Sequence, residues 1–171
     1  MILDKFTKDG IMLTCTRRLQ FCAGHRVMGH ENKCAHLHGH NYVVYITAEQ
    51  LVSPATDGTP EEDILGRTDE IGRVVDFSVI KQVYNTWIEK HWDHGFLLNQ
   101  EDTDAIITVL SFKPEGKEPK LFRFPGNPTA ENIASFLLLH DEPVQALAPY
   151  HVRVVKVVVH ETENCSATAE L

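Results

Sequence analysis

The chain is short of several things. It has 4 cysteines in 171 residues, at 15, 22, 34 and 165, and none forms a C-x-x-C pair. That density excludes a disulfide scaffold, and we read the four as reduced thiols in a cytoplasmic setting. Basic residues are fewer than acidic ones, 16 against 24, for a formal net charge of -8. Such a balance argues against a general nucleic-acid or membrane-surface binder, though a local basic cluster can still receive a small anion. No apolar run is long enough to span a bilayer, and the first residues lack an apolar signal-like core. Low-complexity stretches and repeats of solenoid period are also missing. What remains is an ordinary globular composition, 43% hydrophobic, long enough for one domain with a sizeable core over residues 1–171.

Against that background one stretch is rich: Lys33-Cys34-Ala35-His36-Leu37-His38-Gly39-His40-Asn41. Extended backbone sends alternate side chains to one face, so His38 and His40 project together. His25 closes the preceding apolar run, and a hairpin return brings it beside them. Three imidazoles leave one tetrahedral position open, the pattern of a catalytic zinc site. His36 shares the same parity, and spacing alone leaves a His36/His38 pair open. Cys34 lies close by, where a neighbouring cation eases loss of its proton. Cys15 and Cys22, in strand-like segments, fit buried thiols better. Arg26 and Lys33 flank the histidines and are candidates for a phosphate tail.

Two further groups are suited to proton transfer or anchoring. Asp93 precedes His94, and a carboxylate that orients an imidazole makes it a general acid or base near neutral pH. Glu161 ends a valine-rich run, so it is expected to be partly buried and to need a partner. A planar substrate edge with two N–H donors would satisfy both its oxygens.

The pattern predicts strands over 11–25, 41–49 and 151–161, a returning strand at 72–76 and a short last strand in 162–171. Asp76 caps a helix that ends near His91, with Val79, Ile80, Val83, Tyr84, Trp87 and Ile88 as its apolar stripe. Thr129 caps a second helix, whose inner face is Ile133, Phe136, Leu137 and His140. Residues 1–10 read as a short extension and 50–70 as a long connection. The region 100–125 holds two apolar pieces, read as an extra hairpin or an excursion. The class is α+β: an antiparallel sheet with two helices gathered on one face.

Six short motifs then fall in order: Phe21-x-Ala23-x-His25-Arg26; Cys34-x-x-x-His38-Gly39-His40-Asn41-Tyr42; Val75-Asp76-Phe77; Asp93-His94-x-x-Leu97 with Asn99; Asn127-Pro128-Thr129-x-Glu131-Asn132; and His160-Glu161-Thr162. Together they resemble the 6-pyruvoyl-tetrahydropterin synthase / 6-carboxytetrahydropterin synthase family. The resemblance implies a tunnelling fold (T-fold) that assembles into a β-barrel, commonly a homohexamer built as a dimer of trimers, with active sites between subunits. It implies zinc held by His25, His38 and His40, the two histidines flanking Gly39 rather than His36. Cys34 would be the catalytic thiol, Asp93 and His94 the acid/base relay, and Glu161 with Thr162 the pterin anchor.

Three residues separate Cys34 from His38-Gly39-His40, the spacing that the resemblance associates with the 6-carboxy branch. That branch converts 7,8-dihydroneopterin triphosphate and water to the carboxy product, acetaldehyde and triphosphate, on the route to queuosine and other 7-deazaguanines. The alternatives are the 6-pyruvoyl branch, which eliminates triphosphate, and a non-catalytic zinc-stabilised binding module. The expected partner is thus a small dihydropterin triphosphate, not a nucleic acid or a membrane. Two features depart from the family pattern: the lengths of 50–70 and 101–125, and His36 where a basic or small polar residue is expected.

Overall fold

The computed structural model describes residues 13–51 and 68–171. The expected extension at 1–10 and nearly all of the connection at 50–70 lie outside the described residues. The elements run β1 (Thr14–His25), β2 (His38–Gln50), α1 (Phe77–His91), β3 (Gly95–Asn99), α2 (Thr103–Ser111), β4 (Leu121–Phe124), α3 (Ala130–Leu139), α4 (Asp141–Ala146), β5 (Val152–Thr162) and β6 (Cys165–Glu170). Six strands form one sheet in the order β4-β3-β1-β2-β5-β6.

The long strands are antiparallel: β1 on β2, β2 on β5, β5 on β6. β3 and β4 extend the other edge in parallel, so the antiparallel expectation holds for four strands of six. A parallel step needs a crossover: α2 lies in the one from β3 to β4, and the chain reaches β3 beside β1 by way of β2 and α1. Leu19, Phe21, Ala23, Tyr42, Val44, Ile46, Val157 and Val159 alternate inward and pack with Ile80, Tyr84, Trp87, Ile88, Ile133, Ala134 and Leu137 from α1 and α3. Those are the two helices expected on one face.

Asp76 caps α1, accepting from the Ser78 N–H at 2.8 Å, and Thr129 caps α3 through the Asn132 N–H at 3.3 Å. Residues 72–76 are not a strand: Asp69 accepts from the backbone N–H groups of Ile71 and Arg73 and folds the segment into a turn. His140 is not on the inner face of α3. It is the residue that ends the helix, its ring stacked on Phe136 at 4.5 Å.

The piece at 105–112 is a helix rather than half of a hairpin. Asp102 caps it, and Ala105, Ile106 and Val109 bury against Leu98. Leu97 belongs to the main core and Leu98 to this second cluster. Since neighbours on a strand face opposite ways, α2 covers the sheet face turned away from α1 and α3.

Candidate active site

The site starts from strand register. His25 pairs directly with His38, and Ala23 with His40. Positions 23, 25, 38 and 40 therefore share the core face, at the loop end of the β1–β2 pair. Ring centroids stand 4.5 Å apart for His25 and His38, 5.1 Å for His25 and His40, and 4.9 Å for His38 and His40. One nitrogen from each ring falls within 4.8 Å of the other two. His36 is outside β2 and exposed. Its carbonyl accepts from His38 Nδ1 at 2.7 Å, so it orients a ligand instead of being one.

The hydrogen bonds fix which nitrogens are free. His25 Nδ1 donates to the Pro128 carbonyl at 2.9 Å, as His38 Nδ1 does to that of His36. Carbonyls only accept, so both rings carry a proton on Nδ1 and present Nε2 inward. Those two Nε2 atoms are 3.1 Å apart, and two facing lone pairs repel unless a proton or a cation lies between them. His40 Nε2 is buried with no hydrogen-bond partner among the described residues. Burial holds the proton affinity of His25 and His40 below the ordinary imidazole range, against the pull of the Glu161 charge. Converging ring nitrogens, with burial favouring the neutral form of His25 and His40, are a ligand-ready arrangement, so the three histidines fit a metal ion.

Glu161 continues the inward parity of Val157 and Val159. Its Oε1 lies 3.4 Å from His25 Nε2 and 3.8 Å from His40 Nε2, with the side chain 22% exposed. The carboxylate thus faces the cluster, where a neutral His25 offers it an Nε2 lone pair and no donor. Under it, burial and then the Glu161 charge push the Tyr42 hydroxyl far above the usual phenol range, with a smaller push from Cys34. Cys34 is half-buried in a short 3-10 turn (Lys33–Ala35) beside this cluster, outside the three-nitrogen group. Thr162, one residue on, is the last of β5, and its hydroxyl accepts from the Asn164 N–H in the turn to β6.

Asp93 and His94 are not gathered with the histidines. They form the turn between α1 and β3, and Cys22 grips it twice: its N–H donates to Asp93 Oδ1 at 2.8 Å and its carbonyl accepts from the His94 N–H at 2.7 Å. His94 Nδ1 bonds Asp93 Oδ2 at 2.8 Å, and the ring is 78% exposed. Burial raises the Asp93 proton affinity, but the Cys22 and His94 hydrogen bonds outweigh it and hold the carboxyl below the usual carboxylate range. His94 sits at φ 57°, the left-handed region, at a cost of order 1–3 kcal/mol that functional turns commonly carry. Its ring lines a cleft with Cys22, Gly24, Asn41 and Phe96. By strand alternation Cys22, Gly24 and Asn41 face away from the histidines. Gly24 is needed there because a Cβ would stand 2.5 Å from the Phe96 ring.

Arg26 is engaged through Nε by the buried Asp102 carboxylate at 2.5 Å. Sequence reasoning also missed the support behind His25. The Asn127 side chain takes the Met28 N–H at 3.0 Å, gives to the Met28 carbonyl at 2.9 Å, and is met by Asn99 Nδ2 at 3.2 Å. This clamp fixes the loop that leaves His25 against the segment whose Pro128 carbonyl orients it. The available signal was the run Asn127-Pro128-Thr129, read at first only as a helix start.

Fold and site together define a T-fold protein with a candidate three-histidine metal centre and a separate Asp-His pair. The chain belongs to the 6-pyruvoyl tetrahydropterin synthase family, whose model matches residues 14–171. A Rickettsia typhi protein named 6-carboxy-5,6,7,8-tetrahydropterin synthase is 35% identical over 154 residues, covering 90% of this chain and 97% of the relative. Among solved structures, an uncharacterised protein from Wolinella succinogenes superposes with a TM-score of 0.69 at 22% identity, covering 94% of this chain and 99% of that one. The 6-pyruvoyl tetrahydropterin synthase of Caenorhabditis elegans gives 0.58 at 19%, covering 95% and 97%.

Proposed function

We propose that the chain is a zinc-dependent 6-carboxy-5,6,7,8-tetrahydropterin synthase. It converts 7,8-dihydroneopterin triphosphate and water to 6-carboxytetrahydropterin, acetaldehyde and triphosphate, as a cytoplasmic step toward queuosine and related 7-deazaguanines. The observation that carries this reading is the convergence of three imidazole nitrogens within 4.8 Å. The 35% identity to the Rickettsia relative selects the branch.

His25, His38 and His40 would hold the ion. Zn–N bonds of about 2.0–2.1 Å space tetrahedral ligands about 3.3 Å apart, and His25 Nε2 and His38 Nε2 stand at 3.1 Å. When bound, zinc supplies Lewis acidity toward oxygens of the substrate side chain. Glu161, with Thr162 beside it, clamps the N–H edge of the pterin ring and so sets which carbon faces Cys34. The Cys34 thiolate removes the proton on the carbon next to the ring. His94, oriented through Nδ1 by Asp93, passes the second proton from its exposed Nε2. Because the Asp-His turn is held by Cys22, whose side of the strand is opposite the histidines, His94 serves the site of another copy. The assembly we propose is the one the family resemblance implies, a homohexamer built as a dimer of trimers of one 171-residue domain.

The test is incubation of the zinc-loaded protein with 7,8-dihydroneopterin triphosphate, identifying the pterin by mass and trapping the aldehyde. The reading expects the carboxy product with one acetaldehyde per turnover. A pyruvoyl product without acetaldehyde would transfer the chain to the sister branch. Zinc uptake with no turnover would make it a binding module.

A further inference from the structure

We propose that Lys120 is a positioning residue for the Asp93–His94 pair, supplied by the segment between β3 and β4. The proposal rests on the reading of that pair as the acid/base relay. Lys120 Nζ donates to the Asp93 carbonyl at 2.6 Å and to the Glu89 carbonyl at 2.8 Å, while its own carbonyl accepts from the Phe96 N–H at 2.9 Å. One residue thereby ties the last turn of α1, the Asp-His turn and the start of β3.

Each contact answers a local need. The final carbonyls of a helix have no partner within it and favour a cation. The turn itself holds a histidine at positive φ, which persists only where the surroundings fix it. Cys22 pins it from the β1 side, and Lys120 pins it from the β4 side. The lane for the lysine stem exists because residue 95 is glycine: a Cβ there would stand 2.9 Å from Lys120 Cγ and 3.0 Å from Cδ. The ammonium also helps keep the Asp93 carboxyl ionised, and so an acceptor for the His94 Nδ1–H. The long segment 100–120, which the family motifs leave without a role, ends in this contact. Its α2 and the β3–β4 pairing hold the lysine in place.

The test compares Lys120→Met, which keeps the stem and removes the donors, with Lys120→Arg, which restores donors and charge. Lys120→Met is expected to lower kcat roughly 10- to 100-fold, the scale of a small misplacement, with KM and zinc content unchanged. In ¹⁵N spectra of the histidine rings, His94 should lose its fixed Nδ1–H tautomer. Lys120→Arg should recover both readouts. Gly95→Ala, which displaces the stem, should reproduce the Met variant. A lower melting temperature with kcat and the His94 tautomer unmoved would leave Lys120 as mere scaffold and overturn the proposal. The tautomer readout needs no turnover, so it judges Lys120 even if His94→Gln proves fully active, a result that would sink the relay reading instead.

Discussion

The two faces of the β1–β2 pair carry opposite kinds of chemistry. On the core face, His25, His38 and His40 are held by ladder register and by carbonyls at their Nδ1 atoms, and they converge within one chain. On the other face, the Asp93–His94 turn is strained, exposed and aimed outward. The same strand serves both: Cys22 grips the turn and His25, three residues on, is a candidate ligand. The candidate metal ligands thus converge within one copy, whereas the Asp-His pair stands on the opposite face, where the proposed reading assigns it to a neighbour.

The sharpest way to break that contrast is to remove a ligand. His38→Ala should abolish stoichiometric zinc uptake and with it all turnover; a variant that keeps its zinc would remove His38 from the centre. Next come the groups outside the metal cluster. His94→Gln and Cys34→Ala should each cost roughly 10²- to 10⁴-fold in kcat while zinc content stays at the parent level. Full activity in either variant would strike that residue from the mechanism.

Much of the core face was legible in sequence because it follows from period-two alternation. The run from His36 to His40 and the strand ending at His25 point to the cluster, but parity makes His36 look equivalent until its backbone is seen outside β2. The other face was legible only as a pair: Asp93 orienting His94 could be read from their adjacency, but their place across the strand from the histidines and the positive φ of His94 have no signature in sequence. The segment at 100–120 misled for a different reason. Its apolar residues at 105, 106 and 109 fit a helix packed on Leu98, but as a short run they also fit a strand. Arg26 looked available because its partner, Asp102, is 76 residues distant in sequence.

Smaller effects sharpen the account. Asn127→Ala leaves every ligand in place but frees the loop behind His25. Zinc affinity should fall about 10- to 100-fold, as for other groups that orient a ligand, measured by competition with a chelator. Unchanged affinity would show that the Pro128 carbonyl is held without the clamp.

The pH dependence is subtler still. Burial depresses the proton affinity of His25 and His40 in the folded state, so near and below the ordinary value of about 6.5 the unfolded chain binds more protons. The ion-free protein should therefore lose stability as pH falls through that value, and the loss should level off once both rings charge in the folded state. Denaturant midpoints across pH should show it, with a shallower slope in His40→Gln. An equal slope would mean that His40 is not held neutral by its site.

The claim that the two faces serve one reaction across copies is tested most directly by complementation. His25→Ala and His94→Gln chains, each inactive alone, are co-expressed so that mixed assemblies form, as verified by native mass spectrometry. The account predicts that the mixture regains turnover of 7,8-dihydroneopterin triphosphate that neither parent has. Mixed assemblies as inactive as their parents would contradict it.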